Sequence, residues 1–218
     1  MLGPETTSPL ADFYHTGVVT TLHRLKPDSL ERLETELEGF SRNKPIGLVL
    51  PALYSEFESP AMPGIISELR QVPYLQHIVV ALGQATREQY SQALSFSSDF
   101  YTPVSMVCMD GERVRNLLRM LEERGLSAGE DGKGRSCWMA YGYLRAHADC
   151  SILALHDCDI TNYERELLAR LCYPVAHPHL GLEFCRVTMR ELRITCMVVL
   201  LVSSCPSSPC YGEYEHHF

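Results

Sequence analysis

Two aspartates separated by one residue, Asp157 and Asp159, directly follow the apolar run at residues 151–156. Carboxylates at positions i and i+2 of an extended segment can face the same way and share a divalent cation. The alternative is a strand end with two solvated acids, because Asp is common where strands turn into loops. The pattern therefore predicts either a metal site or an ordinary strand end.

The segment Gly132-Lys133-Gly134 resembles a phosphate-binding turn. Glycines allow close approach of the backbone to a ligand, and the N-terminus of a following helix favours an anion. The spacing is not that of a P-loop, since Arg135 stands where a hydroxyl residue would be needed. A flexible, solvated loop is the alternative, and on either interpretation we expect Lys133 in the loop that enters the next helix.

A third group of candidates follows an apolar run at residues 46–50, where the chain reads Leu50-Pro-Ala-Leu-Tyr-Ser-Glu56. Proline lacks an N–H, so we expect strand pairing to stop at Pro51. Glu56 can accept a hydrogen bond from a ribose or a base. An exposed loop acid is the alternative.

The sequence Asp157-Cys-Asp-Ile-Thr161 also fits the D-x-D-x-T nucleophile motif of haloacid-dehalogenase-like phosphatases, in which the first aspartate becomes phosphorylated. That chemistry needs a lysine on a later strand. The last lysine of the sequence is Lys133, so this hypothesis ranks below the metal site.

Four apolar runs alternate with helical periodicities and must position these groups. Helical spacing begins at Leu30, and Asp110 and Thr161 or Asn162 are candidate helix caps. The predicted strands cover residues 46–50, 77–82, 104–109 and 151–156. Such alternation predicts an α/β fold with a mostly parallel sheet and helices on both faces. Ligands then bind at the carboxyl ends of the strands, where Pro51, Gly83 and Asp157 fall.

Composition narrows the class of protein. The 218 residues carry a formal net charge of −8, which argues against nucleic acid or an anionic membrane as partner. The nine cysteines include no CxxC pair, and the N-terminus lacks the pattern of a secretory signal. The run at residues 194–202 is about half the length of a membrane-spanning helix. We therefore expect a cytoplasmic protein that is not embedded in a membrane. For residues 194–202 we expect either a buried strand or an aberrant tail.

Together, the segments LVLPALYSEF, HIVVALG, GKGRSCWMAYGYLRA and SILALHDCDIT, in this order and spacing, resemble the nucleotide-sugar half of GT-A glycosyltransferases. Within these, the chain resembles the glucosyl-3-phosphoglycerate and mannosyl-3-phosphoglycerate synthase group. The resemblance covers about residues 45–185. It implies a Rossmann-like nucleotide-sugar-binding domain at 45–185, preceded by an N-terminal segment and helix at 1–44.

The resemblance also implies roles for individual residues. Asp159 would bind Mg²⁺ or Mn²⁺, and Asp157 would contact the ribose or the metal. The donor pocket would consist of Pro51, Ala52, Leu53, Glu56, Gly83, Lys133 and Asp157. Tyr54-Ser55 replaces the more usual Asn-Glu, and Cys158 stands between the aspartates. No residue emerges as a catalytic base.

The activity implied is transfer of a hexose from UDP-glucose or GDP-mannose to a small phosphorylated acceptor such as 3-phosphoglycerate. The segment at 186–218 diverges from this pattern, although Arg186 and Thr188 resemble remnants of an anion-binding acceptor loop. We therefore expect a chain shortened at its C-terminus, and binding of a nucleotide sugar without turnover is the alternative function. A homodimer is compatible with the resemblance.

Overall fold

The computed structural model of the chain describes residues 29–98, 100–187 and 197–201. Predictions for residues 1–28, for Thr188 and for most of the tail concern residues outside these ranges. The elements in chain order are α1 (Leu30–Ser41), β1 (Ile46–Leu53), α2 (Tyr54–Phe57), α3 (Ala61–Leu69), β2 (Leu75–Gly83), α4 (Arg87–Ser95), β3 (Val104–Cys108), α5 (Glu112–Glu122), α6 (Lys133–His147), β4 (Ile152–Leu155), α7 (Arg165–Ala176), β5 (Phe184–Val187) and β6 (Met197–Leu201).

The strands form one sheet in the order β3-β2-β1-β4-β6-β5. The first four strands are parallel, and β6 pairs antiparallel with both β4 and β5. The predicted α/β class with a mostly parallel sheet is therefore confirmed. Strand β5 crosses the expected domain boundary at residue 185, and β6 lies within the predicted tail, so the sheet continues past that boundary.

Both faces of the sheet are covered, which explains why its strands read as continuous apolar runs. Leu48 and Leu50 of β1 belong to a core with residues of α1, α3 and α7. Val49, between them, points to the opposite face and packs with Ala140 and Leu144 of α6. Successive side chains of a strand face opposite ways, so β1 serves both layers.

The expectation that pairing stops at Pro51 is wrong, because β1 continues to Leu53 in register with Gly83 of β2. The Val49 carbonyl accepts a hydrogen bond from the His156 N–H on the β4 side. The backbone N–H and C=O groups of successive residues in a strand point to opposite neighbours. The nitrogen of Pro51, two residues after Val49, therefore faces β4 as Val49 does. Strand β4 ends opposite Val49, and the missing N–H therefore costs no ladder bond.

Both predicted helix caps are also wrong. Helix α5 begins after Gly111, and the carboxylate of Asp110 instead accepts the Gln84 N–H at 2.6 Å. Helix α7 begins at Arg165, whose N–H donates to the carboxylate of Glu68 at 3.0 Å. In both cases a carboxylate bonds a backbone N–H that lies far from it in the sequence, which local spacing does not reveal.

Candidate functional site at the carboxyl edge of the sheet

The predicted residues of the first two strands lie together at the carboxyl edge of the sheet. Leu53 ends β1 opposite Gly83, and a Cβ at Gly83 would lie 3.6 Å from the Leu53 side chain. Leu53 is 41% exposed, whereas Pro51 and Ala52 are buried within the strand. The accessible surface of this group therefore comes from Leu53 and Gly83.

Lys133 lies in α6 and not in the loop that enters it. Gly132 precedes the helix with φ of 156°, a backbone conformation that favours glycine, and its carbonyl accepts the first helical hydrogen bond, from the Ser136 N–H. Lys133 is thus the first residue of the helix. From this position its side chain reaches the loop after β4.

The Lys133 ammonium contacts the Asp157 carboxylate. The Asp157 side chain is 7% exposed, and that of Lys133 is 46% exposed. A nearly buried carboxylate needs a charged or hydrogen-bonding partner, and the lysine supplies one. The lysine also remains accessible to a ligand from solvent.

Glu56 contributes a second acid to the same electrostatic neighbourhood. Its Oε2 accepts the Leu53 N–H at 3.0 Å. Burial raises the pKa of Glu56 above its ordinary value, and the negative charge of Asp159 raises it further. The Leu53 hydrogen bond and the Lys133 charge act in the opposite direction.

The two aspartates occupy different environments in the loop after β4. Asp157, counted as a whole residue, is 5% exposed, while Asp159 is exposed to solvent. Cys158 and Ile160 are buried on either side of Asp159 and anchor the loop in the core. The exposed carboxylate is consequently held at a fixed place above the sheet edge.

The carboxylates fit a magnesium-type ion that takes most of its ligands from a substrate. Mg²⁺ is commonly held by one or two carboxylates together with phosphate oxygens and waters. Within the described ranges, no three His, Cys, Asp or Glu residues are grouped as metal ligands. Asp157 and Asp159 are two carboxylates of one loop, a number that suits an ion whose remaining ligands come from a diphosphate and water.

Sequence reasoning missed His156. Its side chain is fully buried, and burial lowers its pKa to about 3, so the ring is neutral near pH 7. Its Nδ1 lies 2.9 Å from the Asp157 carbonyl oxygen. The apolar run that includes His156 predicted only a strand, and no spacing signal pointed to a role for the histidine.

Fold and site define an α/β protein with an acid-and-lysine cluster where parallel strands end. Over 175 residues, the chain is 51% identical to a glucosyl-3-phosphoglycerate synthase of Persephonella marina, a match covering 80% of this chain and 43% of that protein. A second such synthase, of Methanococcoides burtonii, is 33% identical over 79% of this chain and 42% of its own length. The resemblance to glucosyl-3-phosphoglycerate synthases indicated by the motifs is confirmed.

The chain spans less than half the length of these curated relatives. No family model matches it. Among solved structures, a glucosyl-3-phosphoglycerate synthase from Mycobacterium tuberculosis, in complex with Mn²⁺, UDP and glucosyl-3-phosphoglycerate, is 20% identical with a TM-score of 0.49. That match covers 75% of this chain and 49% of the solved one.

The same mycobacterial synthase has been solved with Mn²⁺, UDP-glucose and glycerol 3-phosphate, again at 20% identity and a TM-score of 0.49. This second match likewise covers 75% of this chain and 49% of the solved one. In the described part of this chain, every helix is too short or too polar to cross a membrane.

Proposed function

We propose that this chain binds the nucleotide-sugar donor of a metal-dependent hexosyltransferase, with UDP-glucose or GDP-mannose as the candidate donors. The observation that carries the proposal is the contact between Lys133 and Asp157, with the exposed Asp159 two residues further along the loop that follows β4. The 51% identity to a protein named glucosyl-3-phosphoglycerate synthase supports glucose as the sugar.

The diphosphate of the donor is the group that this cluster suits best. Cleavage of the sugar–phosphate bond leaves a nucleoside diphosphate with growing negative charge, which positioned cations stabilise. Lys133 supplies one such cation directly. Asp159, with Asp157, would hold Mg²⁺ or Mn²⁺, which when bound contributes a second centre of positive charge at the leaving group.

The nucleoside of the donor would occupy the neighbouring strand ends. Leu53 offers an exposed apolar surface, and Gly83 leaves space for a flat ring beside it. Glu56 can accept a hydrogen bond from a ribose hydroxyl through the carboxylate oxygen that Leu53 does not use. Pro51 and Ala52 support this surface from within β1.

The acceptor and the transfer step follow from the relatives' name. A small phosphorylated acid such as 3-phosphoglycerate would receive glucose. The Asp110 carboxylate also follows a strand end, but it accepts the Gln84 N–H at 2.6 Å, and we assign no catalytic base among the described residues.

Calorimetry with UDP-glucose and GDP-mannose, each with and without Mn²⁺, tests the proposal. We expect one donor to bind more tightly with Mn²⁺, and the corresponding hexosyl-3-phosphoglycerate, glucosyl from UDP-glucose or mannosyl from GDP-mannose, to form when 3-phosphoglycerate is added. Manganese-assisted binding without product would restrict the function to donor binding. Absence of donor binding together with release of inorganic phosphate from phosphate esters would instead favour the phosphatase hypothesis.

A further inference from the structure

We infer that His156 is a positioning residue for the aspartate loop, which we define as residues 156–163, acting through the Asp157 carbonyl. This inference rests on the proposed function, because the loop carries both proposed metal ligands. His156 begins the loop and Tyr163 ends it, and their ring centroids lie 4.7 Å apart. The ring contact therefore closes the loop on itself, with Asp157 and Asp159 between its ends.

The hydrogen bond of the His156 ring shows which part of the aspartate loop the ring holds in place. A carbonyl oxygen only accepts, so the 2.9 Å contact to the Asp157 oxygen requires the hydrogen to be on Nδ1. This bond fixes the peptide plane between Asp157 and Cys158. The backbone N–H of His156 also donates to the Val49 carbonyl at 3.4 Å, which ties the loop to β1.

Burial sets this histidine apart from a simple packing residue. Its side chain is fully buried, yet in the described part of the chain Nε2 has no hydrogen-bond partner, and neither does the hydroxyl of Tyr163. An apolar ring would fill the same space without an unpaired nitrogen. Of the two ring nitrogens, Nδ1 makes a hydrogen bond, and that bond goes to the Asp157 carbonyl. The histidine ring therefore contributes specifically to the backbone of the aspartate loop.

Two substitutions of His156 separate a positioning role from a packing role, because they place an N–H at different points. In His156→Asn, the amide nitrogen can occupy the place of Nδ1 and keep the bond to the Asp157 carbonyl. In His156→Gln, the amide extends toward the place of Nε2 instead. The readout is the ratio of donor affinity with and without Mn²⁺, measured by calorimetry with the donor that the wild-type chain prefers.

We expect His156→Asn to keep this ratio within about threefold of wild type, and His156→Gln to lose on the order of tenfold, as residues behind metal ligands commonly do. Metal-free donor affinity is measured in the same titrations, and taking the ratio separates any change in it from the change in the manganese effect. Tyr90→Phe, which removes a hydroxyl bonded to the Met106 carbonyl in another part of the sheet, is the control for the loss of one hydrogen bond.

Equal manganese effects in the two folded histidine variants would overturn the inference while leaving the proposed function intact. A wild-type chain without manganese-assisted binding would overturn both. If neither variant folds, ¹⁵N NMR of the wild-type histidines decides. A proton on Nδ1 of His156 supports the inference, whereas a proton on Nε2 alone overturns it.

Discussion

Lys133 and Asp157 are in direct contact although 24 residues separate them in the sequence. The contact joins the first residue of α6 to the loop after β4, which also carries the exposed Asp159. An ammonium group already held near one carboxylate is well placed to share its charge with a diphosphate.

Replacement of Lys133 by Met should weaken donor binding on the order of tenfold, because a charged hydrogen bond to the diphosphate is lost. The loss should appear both with and without Mn²⁺, which calorimetry measures directly. Lys44→Met, near the opposite edge of the sheet, is the matched control and should bind as wild type does. Equal binding by both variants would exclude Lys133 from the donor site.

Gly47 provides the close approach between β1 and α6. A Cβ there would lie 2.9 Å from the Cys150 sulfur and 3.0 Å from Leu144 Cδ1. Gly47→Ala should therefore lower the free energy of unfolding by about 1–3 kcal/mol through overpacking. Gly142→Ala is the control on the exposed side of α6, where a Cβ meets nothing within 4 Å, and it should stabilise by about 0.5–1 kcal/mol. Urea unfolding of both variants measures the two effects.

Arg165 joins α7 to α1 through Glu34, at 2.9 Å between Nε and Oε1. Burial raises the pKa of Glu34, and the Arg165 charge opposes that rise. Arg165→Leu leaves a mostly buried carboxylate unpaired and should cost about 2–4 kcal/mol at pH 7. Arg145→Leu, which breaks an exposed pair with Asp149, should stay within about 1 kcal/mol of wild type.

The cost of Arg165→Leu should depend on pH. Loss of the arginine raises the pKa of Glu34 further, so the folded variant binds a proton more readily than the unfolded chain. The deficit relative to wild type is therefore largest above that pKa and shrinks as the pH falls through it. Urea unfolding at pH 7 and pH 5 measures the change, and a deficit that grows on acidification would contradict this explanation.

Glu56 gives a second pH dependence. Because its pKa is raised in the folded state, the folded chain holds this proton to a higher pH than the unfolded chain does. Its contribution to stability is present below the ordinary glutamate pKa and is lost as the pH rises through the raised value. Glu56→Gln should remove this part of the pH profile in urea unfolding. Glu58→Gln, at an exposed neighbour, should retain it.

The sequence predicted the parts of the site that follow from strand ends. Apolar runs fixed β1, β2 and β4, and parallel strands bring Leu53, Gly83 and Asp157 to one edge whatever the loops do. The contacts that depend on distant partners were not predictable. The Asp110 carboxylate accepts a hydrogen bond from the Gln84 N–H and does not cap α5. The Glu68 carboxylate accepts one from the first N–H of α7.

Buried polar groups were equally inaccessible to sequence reasoning. His156 stands in an apolar run, where periodicity distinguishes inside from outside but not which hydrogen bond a buried ring makes. Strand β1 can continue through Pro51 because its neighbour β4 ends before that point. This depends on the register between two strands more than 100 residues apart in the sequence.

The most direct test of the central claim is calorimetric titration of UDP-glucose and GDP-mannose into wild type and Asp159→Asn, with Mn²⁺ and after its removal by EDTA. Asp159 is exposed, so the substitution should leave the fold intact, and Asp149→Asn is the control at the other end of α6. We predict that Mn²⁺ tightens binding of the preferred donor to wild type and Asp149→Asn, and that Asp159→Asn loses this gain by on the order of tenfold or more. An undiminished manganese effect in Asp159→Asn would contradict the account.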